Sequence, residues 1–226
     1  MHAASYWAIR LQIGAKMTEA GSPREPAKPP ANGQRSCKGH QLTLHRSSDP
    51  RREELERFVR DVFASRHGAR VCSFMPTLLA MRNETGAVCS VAGFRSAADQ
   101  SLFLERYLDT SVERAIASST GQQVSRDQIV EVGNLAGINC RSAMRLVLDL
   151  PGMLLDRGHR WIVFTATDTL RELLTSYHAP LIELAMATAS SVQDTGDDWG
   201  RYYESHPRVM AGYLPDRVSL CRRRRK

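Results

Sequence analysis

Glu131 stands in an apolar run, Ile129-Val-Glu-Val, and is the residue whose type and place most invite chemistry. Burying an ionised carboxylate without a partner is costly, so such a residue is wet, paired or functional. Two readings stand side by side. A carboxylate whose pKa is raised by burial can act as a general base toward an amine. The same group can equally anchor the adjacent loop through hydrogen bonds. The run leads into a turn rich in punctuation residues, Gly133, Asn134 and Gly137, then into a helix with Met144, Val147 and Leu148 at helical spacing. A strand that ends in a glycine-containing turn at a helix N-terminus leaves backbone N–H groups pointing outward, a natural place to hold an anion.

Other residues are candidates with equally plain alternatives. Asn134 either orients a substrate or caps the turn. Glu105 and Asp109 lie four apart in a pattern that predicts a helix over 101–117, so both would face one side. Paired acids there could bind an amine; a solvated face beside Arg106 is the alternative. Arg95 is placed to meet these acids or an anionic ligand. Thr165 and Thr167 end a second apolar strand, at the edge where ligands gather in open mixed sheets; capping the next helix is the alternative. Tyr202 and Tyr203 follow Trp199. One is a candidate general acid, and an aromatic lid packed on the sheet is the alternative.

Other classes are excluded or weakened. The seven histidines have no metal-ligand spacing, so no metal is expected. No Gly-x-Ser-x-Gly elbow supplies a lipase-type nucleophile. Five scattered cysteines without a C-x-x-C pair fit reduced thiols and a cytoplasmic location. Cys140, in the turn, is a thiol activated by the helix or a filler residue. No apolar run reaches membrane-spanning length, and no secretory leader pattern is present. The net charge of +7 is concentrated at the ends: residues 1–40 carry +4 and Arg222–Lys226 carry +5, leaving the body at −2. The basic tails suit weak contact with tRNA or anionic lipid, or simple solvation.

The elements that must position these residues follow from periodicity. Residues 1–38 are proline-rich and expected to be a disordered leader. Leu42 and Leu44 mark a strand. Asp49-Pro50 predicts a helix start, and Leu55, Phe58, Val59, Val62 and Phe63 one helix face ending near Gly68. Residues 74–81 and 88–94 form a hairpin across Asn83–Gly86. Pro151-Gly152 predicts an end or kink near Leu150. Residues 161–166, 181–187 and 209–214 are strands, with a helix from Asp168 or Thr169 and a polar loop over 193–199. The order implies a mixed sheet with helices on both faces. A single domain over 39–214 precedes a basic tail, 215–226.

Four segments resemble the thermostable hemolysin family: Leu102–Asp109, Ile129–Ala136, Val163–Thr167 with Leu170-Arg171, and Trp199–Tyr203 with Pro207–Gly212. The resemblance implies an α/β, GNAT-like fold, similar to N-acyltransferases and autoinducer synthases. It implies acyl transfer from a thioester or aminoacyl-tRNA donor to a small-molecule amine, with Glu131 as base and Tyr202 or Tyr203 protonating the leaving thiolate. Acyl-CoA would be the donor, held by Val132, Gly133, Gly137, Arg141, Ser142, Ala143, Thr165 and Thr167. Arg95, Glu105, Asp109 and Asn134 would meet the acceptor. Arg141 and Ser142 depart from the glycine usual near such a helix start, so Arg141 either contacts a phosphate or fills the pocket. A membrane-active lytic protein and a scaffold without catalysis are the competing readings.

Overall fold

The structure, a computed structural model, describes residues 35–37, 40–193 and 196–216. Most of the leader and the whole Arg222–Lys226 run lie outside them, and so do the tRNA or lipid contacts expected there. The strands are β1 (Arg35–Cys37), β2 (His40–Arg46), β3 (Thr77–Arg82), β4 (Val88–Ser96), β5 (Ile129–Gly137), β6 (Trp161–Ala166), β7 (Leu181–Met186) and β8 (Arg208–Tyr213). The α-helices are α1 (Arg52–His67), α2 (Val112–Thr120), α3 (Cys140–Leu155) and α4 (Asp168–Ser176). The sheet runs β1-β2-β3-β4-β5-β6-β8-β7, antiparallel except for the β5–β6 pair. It is the expected mixed α/β sheet.

Side-chain alternation assigns the layers. Val130, Val132 and Ile162 pack with Leu146, Leu150 and Leu154 of α3. Ile129, Trp161 and Val163 point the other way, onto Val112 and Ile116 of α2 and Leu102 and Leu104. Helix α1 covers the β3–β4 part of the sheet through Leu55, Val59 and Phe63, which meet Leu78, Ala80 and Val91. Glu131 therefore shares the face of Ile129, and faces away from α3.

Several predicted boundaries shift for local reasons. Asp49 accepts the Arg51 N–H at 2.8 Å, forming a turn, so α1 begins at Arg52 and not at Pro50. It ends as expected, with Gly68 in the left-handed conformation. Proline does not stop α3, which continues to Leu155. Pro151, Met153 and Leu154 are all buried, and their packing offsets the lost backbone hydrogen bond. Arg35–Cys37, inside the expected disordered leader, forms an edge strand on β2.

The predicted helix over 101–117 is two pieces: a 3-10 helix, Phe103–Tyr107, and α2. Glu105 causes the break. Its carboxylate accepts the Leu102 N–H at 2.8 Å and the Val112 N–H at 3.0 Å, satisfying backbone donors at the starts of both pieces. Arg126 closes the knot, with Nη1 at 2.6 Å from Glu105 and 2.8 Å from Glu113. Glu105 and Asp109 thus do not share a helix face. Asp109 is exposed in the connection, and the predicted acid pair does not exist.

Burial alone would raise the Glu105 pKa, but the Arg126 guanidinium and the two backbone donors more than offset it and hold the carboxyl at about 2, below the usual 4.5. Because the folded value is depressed, this stabilisation is complete above pH 4.5 and is lost as pH falls through about 2. Replacing Arg126 with Met leaves the half-buried carboxylate without its cation. We expect a loss on the order of 1–2 kcal/mol at neutral pH, by urea unfolding, less than for a fully buried pair because both partners are partly solvated. The wild-type advantage over the variant should shrink below pH 4.5; an advantage independent of pH would exclude the ion pair as its source.

Candidate active site

Strands β5 and β6 stay paired only as far as Val132 and Phe164. Beyond that point β5 follows β4, ending at the Ser90–Gly137 pair. Between the Gly93–Gly133 and Val91–Ala136 pairs, β5 carries one residue more than β4. This bulge bends the strand away from β6, as an extra residue does. Asn134 takes the strain of it, at φ 49°. Its side chain accepts the Met75 N–H at 2.8 Å and donates to the Ser73 carbonyl at 3.3 Å. Asn134 therefore clamps the 73–75 segment over the bulge. Met75 lies so close to Gly133 that a Cβ there would come within 2.7 Å of its methyl carbon.

The gap between the strands opens into a cavity of about 400 Å³ that reaches both faces of the sheet. On the α3–α4 side its walls are apolar: Met144, Val147, Leu150, Leu170, Leu173 and Leu174. On the other side stand Arg95, Glu131, Phe103, Tyr107, Asp197, Trp199 and Tyr202, with His67 at the end of α1. Ring contacts join the wall: Trp199 to Tyr202 at 5.4 Å, Trp199 to Phe103 at 5.9 Å and Phe63 to Tyr202 at 6.4 Å between centroids.

Glu131 sits at the junction, only 3 % exposed. Its oxygens accept the Phe103 and Leu104 N–H groups, each at 2.9 Å, and Arg95 Nε lies 3.3 Å away. A carboxylate offers about four lone-pair positions, more than the two amides fill. Burial raises its pKa; Arg95 and the two amides pull against that without cancelling it. The anchor reading and the reactive reading are thus both compatible with one geometry. Arg95 donates its Nε to the Met75 sulfur at 3.0 Å and lines the cavity.

Of the residues expected to hold a donor, Val132, Gly133, Gly137, Ala143, Thr165 and Thr167 line the cavity. Thr167 occupies the N-cap position of α4 without a side-chain capping bond. Two others differ from expectation. Ser142 is spent on α3 itself: its N–H and hydroxyl form a reciprocal cap with Asn139, so its amide is not available to an anion. Arg141 neither lines nor fills the cavity; it is exposed beside a shallow depression with Arg145 and Asp149. Steric closeness, not charge, marks this turn. A Cβ on Gly137 would fall 2.9 Å from the backbone nitrogen of Ala143.

The tyrosines separate. Tyr202 lines the cavity, whereas Tyr203 packs behind it and hydrogen-bonds Tyr107 at 2.7 Å between hydroxyls. Burial raises the pKa of all three phenols, so they stay protonated. His67, Tyr107 and Asp197 were not singled out by sequence. Burial, then Arg66 and Arg201, lower the His67 pKa and keep its ring neutral at pH 7. Its only sequence signal is its place just before the helix-ending Gly68. Among the described residues no group of three or more His, Cys, Asp or Glu side chains could hold a metal. No helix there is long and apolar enough to cross a membrane.

The family profile described as thermostable hemolysin matches residues 45–218. No curated protein matches the sequence. Three solved structures are similar in fold. BjaI, described as a CoA-dependent acyl-homoserine lactone synthase, is 11% identical, with TM-score 0.55, covering 82% of this chain and 89% of its own. FeeM, an N-acyl amino acid synthase from uncultured soil microbes, is 13% identical at TM-score 0.52, covering 80% of this chain and 95% of its own. TofI, solved with an inhibitor and MTA, is 10% identical at TM-score 0.53, with coverage of 80% and 95%.

If close packing of α3 on the turn sets the cavity wall, Gly137→Val must push the helix start outward. We expect a loss of about 1–3 kcal/mol in urea unfolding, the usual range for overpacking. Unchanged stability would show that the contact yields freely.

Proposed function

We propose that this chain, which belongs to the thermostable hemolysin family, is an N-acyltransferase that moves an acyl group from a coenzyme A thioester to an amine. One observation carries the reading: the cavity crosses the sheet where β5 and β6 part, with a buried carboxylate at the crossing and an apolar chamber on one side only. Two reactants approaching from opposite faces would meet beside Glu131, and holding them together supplies much of the rate of a bimolecular reaction.

The donor belongs on the α3–α4 side. The first-turn N–H groups of Cys140 and Arg141 and the close turn at Gly137 suit the donor's phosphates. Thr167, at the start of α4, suits its amide-bearing arm, while Thr165 turns its hydroxyl toward the crossing beside Glu131. The acyl chain would lie along Val147, Leu150 and Leu170, where apolar area is removed from water. The coenzyme A dependence stated for BjaI supports the choice of donor. The acceptor belongs on the Glu131 side.

The amine lone pair attacks the thioester carbonyl carbon. Glu131 takes the proton the nitrogen sheds, the carbon–sulfur bond breaks, and the departing thiolate is protonated. Products are an amide and a free thiol. Tyr202, held protonated, is the hydrogen-bond donor on this wall nearest in kind to the acid the leaving group needs. Tyr203 would act only through Tyr107.

Free-thiol release from octanoyl-CoA with a panel of amines tests the reading. Glu131→Gln should lower kcat/KM by about 10²–10⁴-fold, the range of general base catalysis. The wild-type profile should rise with pH along a limb lying above the usual 4.5 of a glutamate, because burial raises this one, and the limb should vanish in the variant. Val147→Trp should raise KM for octanoyl-CoA and leave acetyl-CoA nearly unaffected. Vesicle leakage that persists in Glu131→Gln, without thiol release from any pair in wild type, would favour the lytic reading.

A further inference from the structure

One cation in the cavity wall has no part in the acyl-transfer chemistry above. Among the described residues that line the cavity, two carry a guanidinium, Arg66 and Arg95. Arg95 is matched by Glu131 at 3.3 Å. Arg66 makes no ion pair among the described residues and a single hydrogen bond, Nη2 to the Gly137 carbonyl at 2.9 Å. That bond fixes where the charge sits: at the end of β5, beside the start of α3. Gly137 itself lines the cavity. Arg66 and Cys140 are exposed and also line it, so the cavity opens to solvent on this side.

The α3 start is short of donors for an anion. The Ser142 N–H is bonded to Asn139 Oδ1 at 2.9 Å, and the Ala143 N–H to the Asn139 carbonyl at 3.2 Å. Arg141, the other cation of this turn, borders the separate depression and does not line the cavity. A guanidinium has five N–H donors, and Gly137 takes one of those on Arg66. Distance decides which part of a donor substrate would arrive there. Strand β5 leaves β6 after Val132, and Gly137 is five residues further, at most about 16 Å of extended chain. A thioester at the crossing beside Glu131 would lay its pantetheine arm along that stretch, and the phosphate that ends the arm would come near Gly137.

We propose that Arg66 receives the phosphate at the end of the donor's pantetheine arm, and so selects coenzyme A thioesters over thioesters that lack it. The inference rests on the acyl-transfer reading and adds the residue that recognises the donor's charge. A guanidinium fork takes two phosphate oxygens at once. Its tie to the Gly137 carbonyl holds it in place beforehand, so less side-chain freedom is lost on binding. Arg66 binds and does not react: no bond forms to it, and Glu131 remains the proton acceptor.

The test compares octanoyl-CoA with octanoyl-pantetheine, which carries no phosphate, using the full chain, one accepted amine and thiol release as the readout. Wild type should favour octanoyl-CoA in kcat/KM. Arg66→Gln keeps a donor for the Gly137 carbonyl and should cut that preference about tenfold, the weight of one charge-assisted hydrogen bond. Arg66→Lys keeps the charge and should retain most of the preference, and added salt should erode it more in wild type than in Arg66→Gln. Octanoyl-phosphopantetheine, with the first phosphate alone, should be favoured over octanoyl-pantetheine in wild type; if it is not, the assignment to that phosphate fails. An equal loss with both donors in Arg66→Gln would mark Arg66 as a strut between α1 and β5. That would overturn the proposal and leave acyl transfer standing. Thiol release from no pair at all would overturn acyl transfer itself. Calorimetric titration with coenzyme A alone would then decide the site: binding that weakens about tenfold in Arg66→Gln supports it, and no heat with wild type overturns it.

Discussion

The carboxylate of Glu131 lies in the middle of the sheet, and its burial is tolerable only because two backbone amides and Arg95 converge on it. Those contacts reach well beyond the residue. The amides belong to the start of the Phe103–Tyr107 turn, so the carboxylate fixes where Phe103 and Tyr107 enter the aromatic wall. Arg95 lies directly across from Glu131 in the β4–β5 register. It passes the constraint on to Met75, which covers the bulge. An unpaired carboxylate at this depth would be neutral or would unfold its surroundings. Anchoring and reactivity are therefore not rivals here: the same donors hold a carboxylate that lines the cavity.

The second constraint is on irregular backbone. Residues 68–76 run against the loop 196–201 with almost no regular structure, yet several of their polar groups are tied down. The buried Arg52 donates to the Met75 carbonyl at 2.7 Å and the Pro76 carbonyl at 3.0 Å. Asn134 clamps Ser73 and Met75, and Asp197 takes the Cys72 and Ser73 amides. Gly200 lies against the His67 carbonyl so closely that a Cβ would come within 2.3 Å. A loop tied at this many points can present Trp199 and Tyr202 in fixed orientation, which a binding wall requires.

The two sides of the cavity differ in kind because of the alternation of β5 and β6. Val132 and Phe164 turn their side chains to α3, and Glu131 and Thr165 turn theirs to the aromatic wall. One strand opening thus separates an apolar chamber from a charged one. Nothing in the body's net charge of −2 is needed for this; the local pairs decide it.

Sequence alone determined the sheet order's ingredients: alternating apolar runs for β4, β5, β6 and β8, the Asn83–Gly86 hairpin, and the Gly68 stop are local patterns that local physics enforces. It also isolated Glu131, since a charge in an apolar run is anomalous wherever the strand goes. It misjudged 101–117, because helical spacing is visible in sequence while the Glu105–Arg126 knot that splits the segment spans 21 positions. It overrated Pro151, whose local penalty is offset by burial that only packing reveals. It placed Arg141 and Ser142 at the helix start; only the structure shows that α3 turns the Arg141 side chain outward and spends Ser142 on its own cap. His67, Tyr107 and Asp197 were invisible as a group because they come from three distant segments. They meet only when β5 leaves β6, and that parting depends on one extra residue in a bulge whose partner strand no local pattern names.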